Sequence, residues 1–192
     1  MGRDKATLDF EGEPLLARTV RLVAASGVGA VVVVAAAGQT LPRLPVEAIV
    51  ARDEIEGQGP LRGLASGLAV VPKDQEYLYL TATDAPYLAA GFIPFLRDRI
   101  GASDVAIPVV NGRLYPLSAV YRVASLKPAI DARLRLFNPK ERGLVSLTQD
   151  LRVRTIEEAE LRAIDPDLVT LLDIDTPEEY ERSRSQTDSF RR

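Results

Sequence analysis

The chain has 192 residues, 46% hydrophobic and 27% charged, with 24 Lys and Arg against 27 Asp and Glu for a net charge of −3. That size and balance predict one ordinary domain with one hydrophobic core, and the lack of a basic excess argues against nucleic acid as a partner. The chain has no Cys and no His, so disulfides, thiol nucleophiles, imidazole bases, Ser-His-Asp triads and His- or Cys-ligated metals are excluded.

In chain order, Met1-Gly2-Arg3-Asp4-Lys5 lacks the apolar segment of a secretory signal, and the cytoplasm is the expected location. Leu16, Val20 and Val23, with Leu15 and Leu22 beside them, have helical spacing, which predicts a helix over Pro14 to Ser26 with Pro14 in its first turn. Ala30 to Ala35 is a β-branched run without polar alternation and predicts a strand covered on both faces. The longest apolar run, Val28 to Ala37, is about half the ~20 residues that a membrane helix needs, so no membrane partner is expected. Glu47 to Arg52 is a weaker strand, Arg52-Asp53-Glu54 an ordinary charged loop, and Leu61 to Val71 a helix after the turn-rich Gly57-Gln58-Gly59-Pro60. Glu76 to Ala82 reads as a near-continuous apolar strand, with Tyr77 to Leu80 expected to be buried and central, and Leu88 to Ile100 as a helix.

Asp104 to Val110 and Leu114 to Arg122 read as two strands joined at Asn111-Gly112, a strong hairpin signal. Helices follow around Leu126 to Phe137 and Gly143 to Leu151, then strands near Leu151 to Ile156 and Val169 to Ile174, and a last helix from Pro177. Residues 1–182 are expected to form the domain and 183–192 a polar, frayed tail. Strand–helix alternation of this kind predicts a layered α/β fold with a mainly parallel sheet.

The side chains left for chemistry are Asp, Glu, Lys, Arg and hydroxyls, which with backbone amides and a hard cation suit phosphate chemistry with magnesium. Asp84, in Thr81-Ala82-Thr83-Asp84-Ala85-Pro86, falls just past a strand end, where ligands of open α/β sheets bind and where a carboxylate can hold magnesium. A turn-closing Asp before a Pro-containing bend explains the same residues, and spacing alone leaves both readings open. Asp173 and Asp175, two apart, would share a face in a strand and could meet one cation. The following Thr176, Pro177 and Glu179 are explained by a helix capping box. Lys5 reads as a solvated lysine, and Gly57, Gly59 and Gly63 surround a helix start that would attract anions.

Taken together these segments resemble the molybdenum cofactor guanylyltransferases, within the nucleotidyltransferases of glycosyltransferase-A-like fold. The resemblance rests on Met1-Gly2-Arg3-Asp4-Lys5-Ala6, Phe10-Glu11-Gly12-Glu13-Pro14-Leu15-Leu16, Asp53 with Gly59-Pro60-Leu61-Arg62-Gly63-Leu64, Thr83-Asp84-Ala85-Pro86-Tyr87-Leu88, Tyr115 to Arg122, and Asp175-Thr176-Pro177-Glu178-Glu179. It implies a three-layer, Rossmann-like (glycosyltransferase-A-like) α/β domain with a mainly parallel central sheet. It further implies transfer of GMP from GTP to molybdopterin with release of pyrophosphate, and molybdoenzymes or cofactor-delivery proteins as further partners. By that likeness Lys5 and Asp84 are the catalytic residues, Lys5 contacting phosphates and Asp84 holding magnesium, with Asp175 a second metal carboxylate. Asp53, Gly59 and Gly63 would help to hold the nucleotide.

The family also begins with a central strand and a glycine-rich phosphate loop, placed ahead of the Met-Gly matched here. Ala35-Ala36-Ala37 stands where it usually has Asn, and Asp173-Ile174-Asp175 where it has Asn-x-Asn, closer to related cytidylyltransferases. Cytidylyl transfer, nucleotidyl transfer to another phosphorylated metabolite, and a non-catalytic nucleotide- or partner-binding module are the competing readings.

Overall fold

In the computed structural model, residues 4–53, 59–136 and 143–172 are described. A one-turn 3-10 helix, Lys5–Thr7, leads into a small hairpin of β1 (Asp9–Phe10) and β2 (Glu13–Pro14), then helix α1 (Leu15–Ala25). β3 (Val32–Ala36) and β4 (Ile49–Asp53) pair in parallel, and α2 (Pro60–Leu68) packs on both. Gly67 makes that packing possible, because a Cβ there would sit 2.8 Å from a Val34 methyl.

The remaining strands are β5 (Tyr77–Thr81), β6 (Val105–Val110), β7 (Arg113–Leu114), β8 (Ser118–Arg122) and β9 (Val153–Glu157). Their helices are α3 (Phe92–Arg99), α4 (Val123–Leu134), α5 (Leu144–Leu147) and α6 (Glu158–Leu161). β5 and β6 both run antiparallel to β8, which lies between them, and β9 runs parallel to β6. β5, β6 and β9 therefore point one way, as the expected mainly parallel sheet requires, with β8 and the short β7 reversed.

The period-two alternation of strand side chains builds three layers. Val105 and Ile107 of β6, Ala119 and Tyr121 of β8, and Leu78 and Leu80 of β5 meet α2, α4 and α5 on one face. Ala106, Val120, Tyr77 and Tyr79, the residues between, meet α3 and α6 on the other. Phe92, Leu96, Leu126, Leu147, Ile156 and Leu161 are fully enclosed by this arrangement.

β5 was expected to be a buried central strand, yet all five of its residues are only partly buried, because among the described residues it is an edge of its sheet. β3 was expected to be covered on both faces, but its burial alternates and Val34 is 39% exposed. Between the open edges of β3 and β5 lies a cavity of about 800 Å³, and no described strand fills it. The strand expected over Leu114 to Arg122 breaks at Pro116, where Ser118 N–H turns back to the Tyr115 carbonyl. The Asn111-Gly112 turn does form, at φ 50° and 75°.

The strand expected at Val169 to Ile174 is instead a 3-10 turn, Val169–Leu171, over its described part. The buried Asp165 carboxylate accepts from the Val169 and Thr170 amides and so diverts them from a ladder. Arg52 and Asp53 end β4 rather than forming a loop. The Asp173–Asp175 pair, the capping box at Thr176, the last helix and the 183–192 tail lie outside the described residues.

Asp104 and Arg152 precede β6 and β9, at the N-terminal end of the sheet. The buried Asp104 carboxylate accepts from the Arg152 side chain and amide at 2.9 Å and from the Ser125 hydroxyl at 2.6 Å. Hydrogen bonds from Arg152 first, then from Ser125, hold its carboxyl well below the usual range despite burial. A lowered carboxyl contributes stability above its unfolded pKa and loses it as the pH falls. Asp104→Asn is therefore expected to cost about 2 kcal/mol at neutral pH, with the gap to wild type closing below about pH 4. Thermal melts across pH check this.

Candidate active site

Asp84 sits three positions after the last residue of β5, at the carboxyl end of that strand. Its side chain is 15% exposed and accepts from Lys5 Nζ at 2.5 Å, so the two residues expected to be catalytic are in direct contact. Asp4 makes this possible. It caps the 3-10 turn carrying Lys5 by accepting from Ala6 N–H at 3.0 Å, and its two carboxylate oxygens accept from Gln39 Nε2 at 3.0 and 2.9 Å.

Gln39 in turn accepts from Ala36 N–H at 3.2 Å. Arg52 donates to the Ala36 and Gln39 carbonyls at 3.1 and 2.7 Å. Lys5 is thus tied through Asp4 and Gln39 to the carboxyl ends of β3 and β4, while its own ammonium reaches the carboxyl end of β5. The strand ends that border the open cavity are joined at the top by this one short turn.

Asp53 is the residue after Arg52 and, with Gly59, Pro60, Gly63 and Thr83, lines the cavity. Gly59 precedes α2 at φ 79° and ψ 177°, a backbone shape closed to side-chain-bearing residues, and turns the N-terminus of α2 towards the same space. A Cβ at Gly63 would make only ordinary contact with Val34, at 3.7 Å, so packing does not demand glycine there. The structure therefore gathers Lys5 with Asp84, and Asp53 with Gly59 and Gly63, around the ends of β3, β4 and β5. Asp175 lies outside the described residues.

Tyr79 of β5 also lines the cavity, and burial pushes its phenol up, so it stays protonated and is no base at neutral pH. Sequence reasoning passed over Gln39, which follows a Gly in an apolar stretch and carries no motif signal. It also passed over Arg18 and Thr19, whose helical spacing placed them beside the core residues of α1 without marking a contact outside the helix.

Among the described residues no group of three or more carboxylate, His or Cys side chains is placed to hold a metal ion. A cation here would take one oxygen ligand from Asp84 and the others from water, with phosphate oxygens replacing some of the water once a nucleotide binds, which is magnesium's ordinary mode of binding in nucleotide sites. The Lys5 ammonium already rests on that carboxylate, so a positive charge fits the position.

The family model of a MobA-like NTP transferase domain matches residues 1–155. The chain belongs to the MobA-like NTP transferase family. It is 32% identical over 153 residues to the molybdenum cofactor guanylyltransferase of Desulfosudis oleivorans, covering 78% of this chain and 71% of that protein. It is 35% identical over 156 residues to a probable molybdenum cofactor guanylyltransferase of Mycobacterium tuberculosis, covering 80% and 76%. In fold it matches the molybdopterin-guanine dinucleotide biosynthesis protein A of Archaeoglobus fulgidus with a TM-score of 0.74 at 18% identity, over 98% of this chain and 92% of that one. Within the family fold, Asp84 and Lys5 meet at the carboxyl end of the sheet, where open α/β sheets bind their ligands. No helix among the described residues is long and apolar enough to cross a membrane.

Proposed function

We propose that this MobA-like nucleotidyltransferase moves GMP from GTP to the terminal phosphate of molybdopterin, releasing pyrophosphate, with magnesium as its cation. The observation that carries the reading is the Lys5–Asp84 pair at the strand ends of a chain whose relatives are named for this activity. In the transfer, an oxygen of the acceptor phosphate forms a bond to the α-phosphorus of GTP. The bond from that phosphorus to the pyrophosphate oxygen breaks, and the leaving group carries the electron pair away.

The acceptor phosphate is already ionised, so the reaction needs charge neutralisation and in-line placement more than a protein base. That requirement suits a chain without His. Bound magnesium would supply neutralisation of the phosphate charge. Asp84 would hold the cation and Lys5 would contact the phosphates, while Asp53, Gly59 and Gly63 would bound the nucleotide.

The test incubates the natural full-length protein with molybdopterin, Mg²⁺ and either GTP or CTP, and follows pyrophosphate and the dinucleotide product. Guanine dinucleotide formed in step with pyrophosphate, at least about tenfold faster than the cytosine product, is the expected result. Asp173-Ile174-Asp175 favours a cytidylyl reading, and faster turnover of CTP would establish it instead. Nucleotide binding without pyrophosphate release would make the protein a binding module.

A further inference from the structure

Two neighbouring side chains of α1 reach out of their helix and grip the backbone on both sides of Asp84. The Thr19 hydroxyl lies 3.1 Å from the Thr83 carbonyl oxygen and 3.5 Å from that of Ala85, as well as 3.1 Å from the Leu15 carbonyl of its own helix. Arg18 Nε donates to the Pro86 carbonyl at 2.8 Å. Thr83 and Ala85 are the chain neighbours of Asp84.

These contacts are built rather than incidental. Thr19 is 5% exposed, and its single hydroxyl proton is shared among the Leu15 and Thr83 carbonyls at 3.1 Å and, at longer range, that of Ala85. The Arg18 guanidinium is fixed from several directions. It donates to Glu11 at 2.8 Å, lies 3.5 Å from Glu13, and sits 5.0 Å above the Phe10 ring, which itself packs edge-on against Tyr87 at 5.8 Å. Glu11 is held in the β1–β2 turn at φ 53°, in the left-handed region, which aims its carboxylate at Arg18. On the far side of the same loop, Ala89 N–H donates to the buried Thr170 hydroxyl at 2.9 Å. Leu15, Leu16, Ala17 and Val20 already anchor α1 in the core, so what the polar pair adds is the position of the loop.

We infer that Thr19 and Arg18 are positioning residues for Asp84, fixing the direction of its carboxylate and, through it, the affinity of the divalent-cation site. The inference rests on the reading of Asp84 as the cation-binding carboxylate. Groups that orient a metal ligand from behind typically change metal affinity by 10- to 100-fold when removed.

The test uses Mn²⁺ alone as the probe, with free Mn²⁺ followed by electron paramagnetic resonance and folding by circular dichroism. Thr19→Val keeps the shape and removes the hydroxyl, and is expected to weaken Mn²⁺ binding about tenfold. It should lower kcat to a similar extent, leave KM for GTP within about twofold, and retain the native spectrum. Thr19→Ser restores the hydroxyl and should restore binding. Arg18→Lys keeps the charge but loses the Nε–H fork, should weaken Mn²⁺ binding likewise, and decides the matter if Thr19→Val does not fold.

Binding by Thr19→Val and Arg18→Lys within about twofold of wild type, while Asp84→Asn loses the ion, overturns the positioning role and leaves Asp84 standing. So does failure of Thr19→Ser to restore binding, or a loss of Mn²⁺ binding that only tracks loss of the native spectrum. Wild-type protein that binds no Mn²⁺, or Asp84→Asn that binds it like wild type, overturns the reading of Asp84 and the inference with it.

Discussion

Asp84→Asn is expected to reduce nucleotidyl transfer by about a thousandfold or more while leaving the fold in place. The amide keeps the shape of the carboxylate but removes its charge. A neutral amide is a much weaker ligand for a divalent cation than a carboxylate, so the phosphate charge that builds towards the transition state is poorly balanced. Stability is expected to change by less than about 1 kcal/mol, because the pair lost with the charge is partly open to solvent, Lys5 being 33% exposed. Initial rates of pyrophosphate release and thermal melts measure the two effects separately. Near-normal turnover in a folded Asp84→Asn protein would remove Asp84 from the chemistry.

Lys5→Met is expected to act with opposite signs on metal and on rate, and the contrast is its diagnostic. In the nucleotide-free protein the ammonium occupies the Asp84 carboxylate, so it competes with any cation that approaches. Its removal should tighten Mn²⁺ binding about threefold, a modest gain because the pair is partly screened by solvent. Turnover should nevertheless fall about a hundredfold, the usual loss when one charged donor to a developing phosphate charge is deleted. Isothermal titration with Mn²⁺ alongside steady-state kinetics gives both numbers. A fall in metal affinity in step with rate would mean that Lys5 only holds Asp84 in place and never meets the phosphates.

The elements with strong internal periodicity were legible in the sequence: α1 from Leu16, Val20 and Val23, α3 from its apolar spacing, the Asn111-Gly112 turn from its residue types. Lys5 and Asp84, which local reasoning left ambiguous, were named together by the ordered set of motifs, and the structure puts their side chains in contact. What local patterns could not carry was the company each element keeps. Tyr77 to Thr81 are as apolar as a central strand should be, yet burial depends on which strand lies alongside, and no described strand covers the outer edge of β5. Val169 to Leu171 have strand-like side chains, but the carboxylate of Asp165 captures the Val169 and Thr170 amides. Arg18 and Thr19 stand beside the core residues of α1 with no motif to mark them, and only the structure shows that they bond the loop carrying Asp84.

The gap between β3 and β5 matters for the sheet as a whole. The edges of β3 and β5 that face the cavity present backbone donors and acceptors with no ladder partner among the described residues, in strands made largely of Val, Leu and Tyr. An extended apolar segment seated between them would pair with both edges, join β3 and β4 to the five-stranded sheet, and cover the side chains that line the cavity.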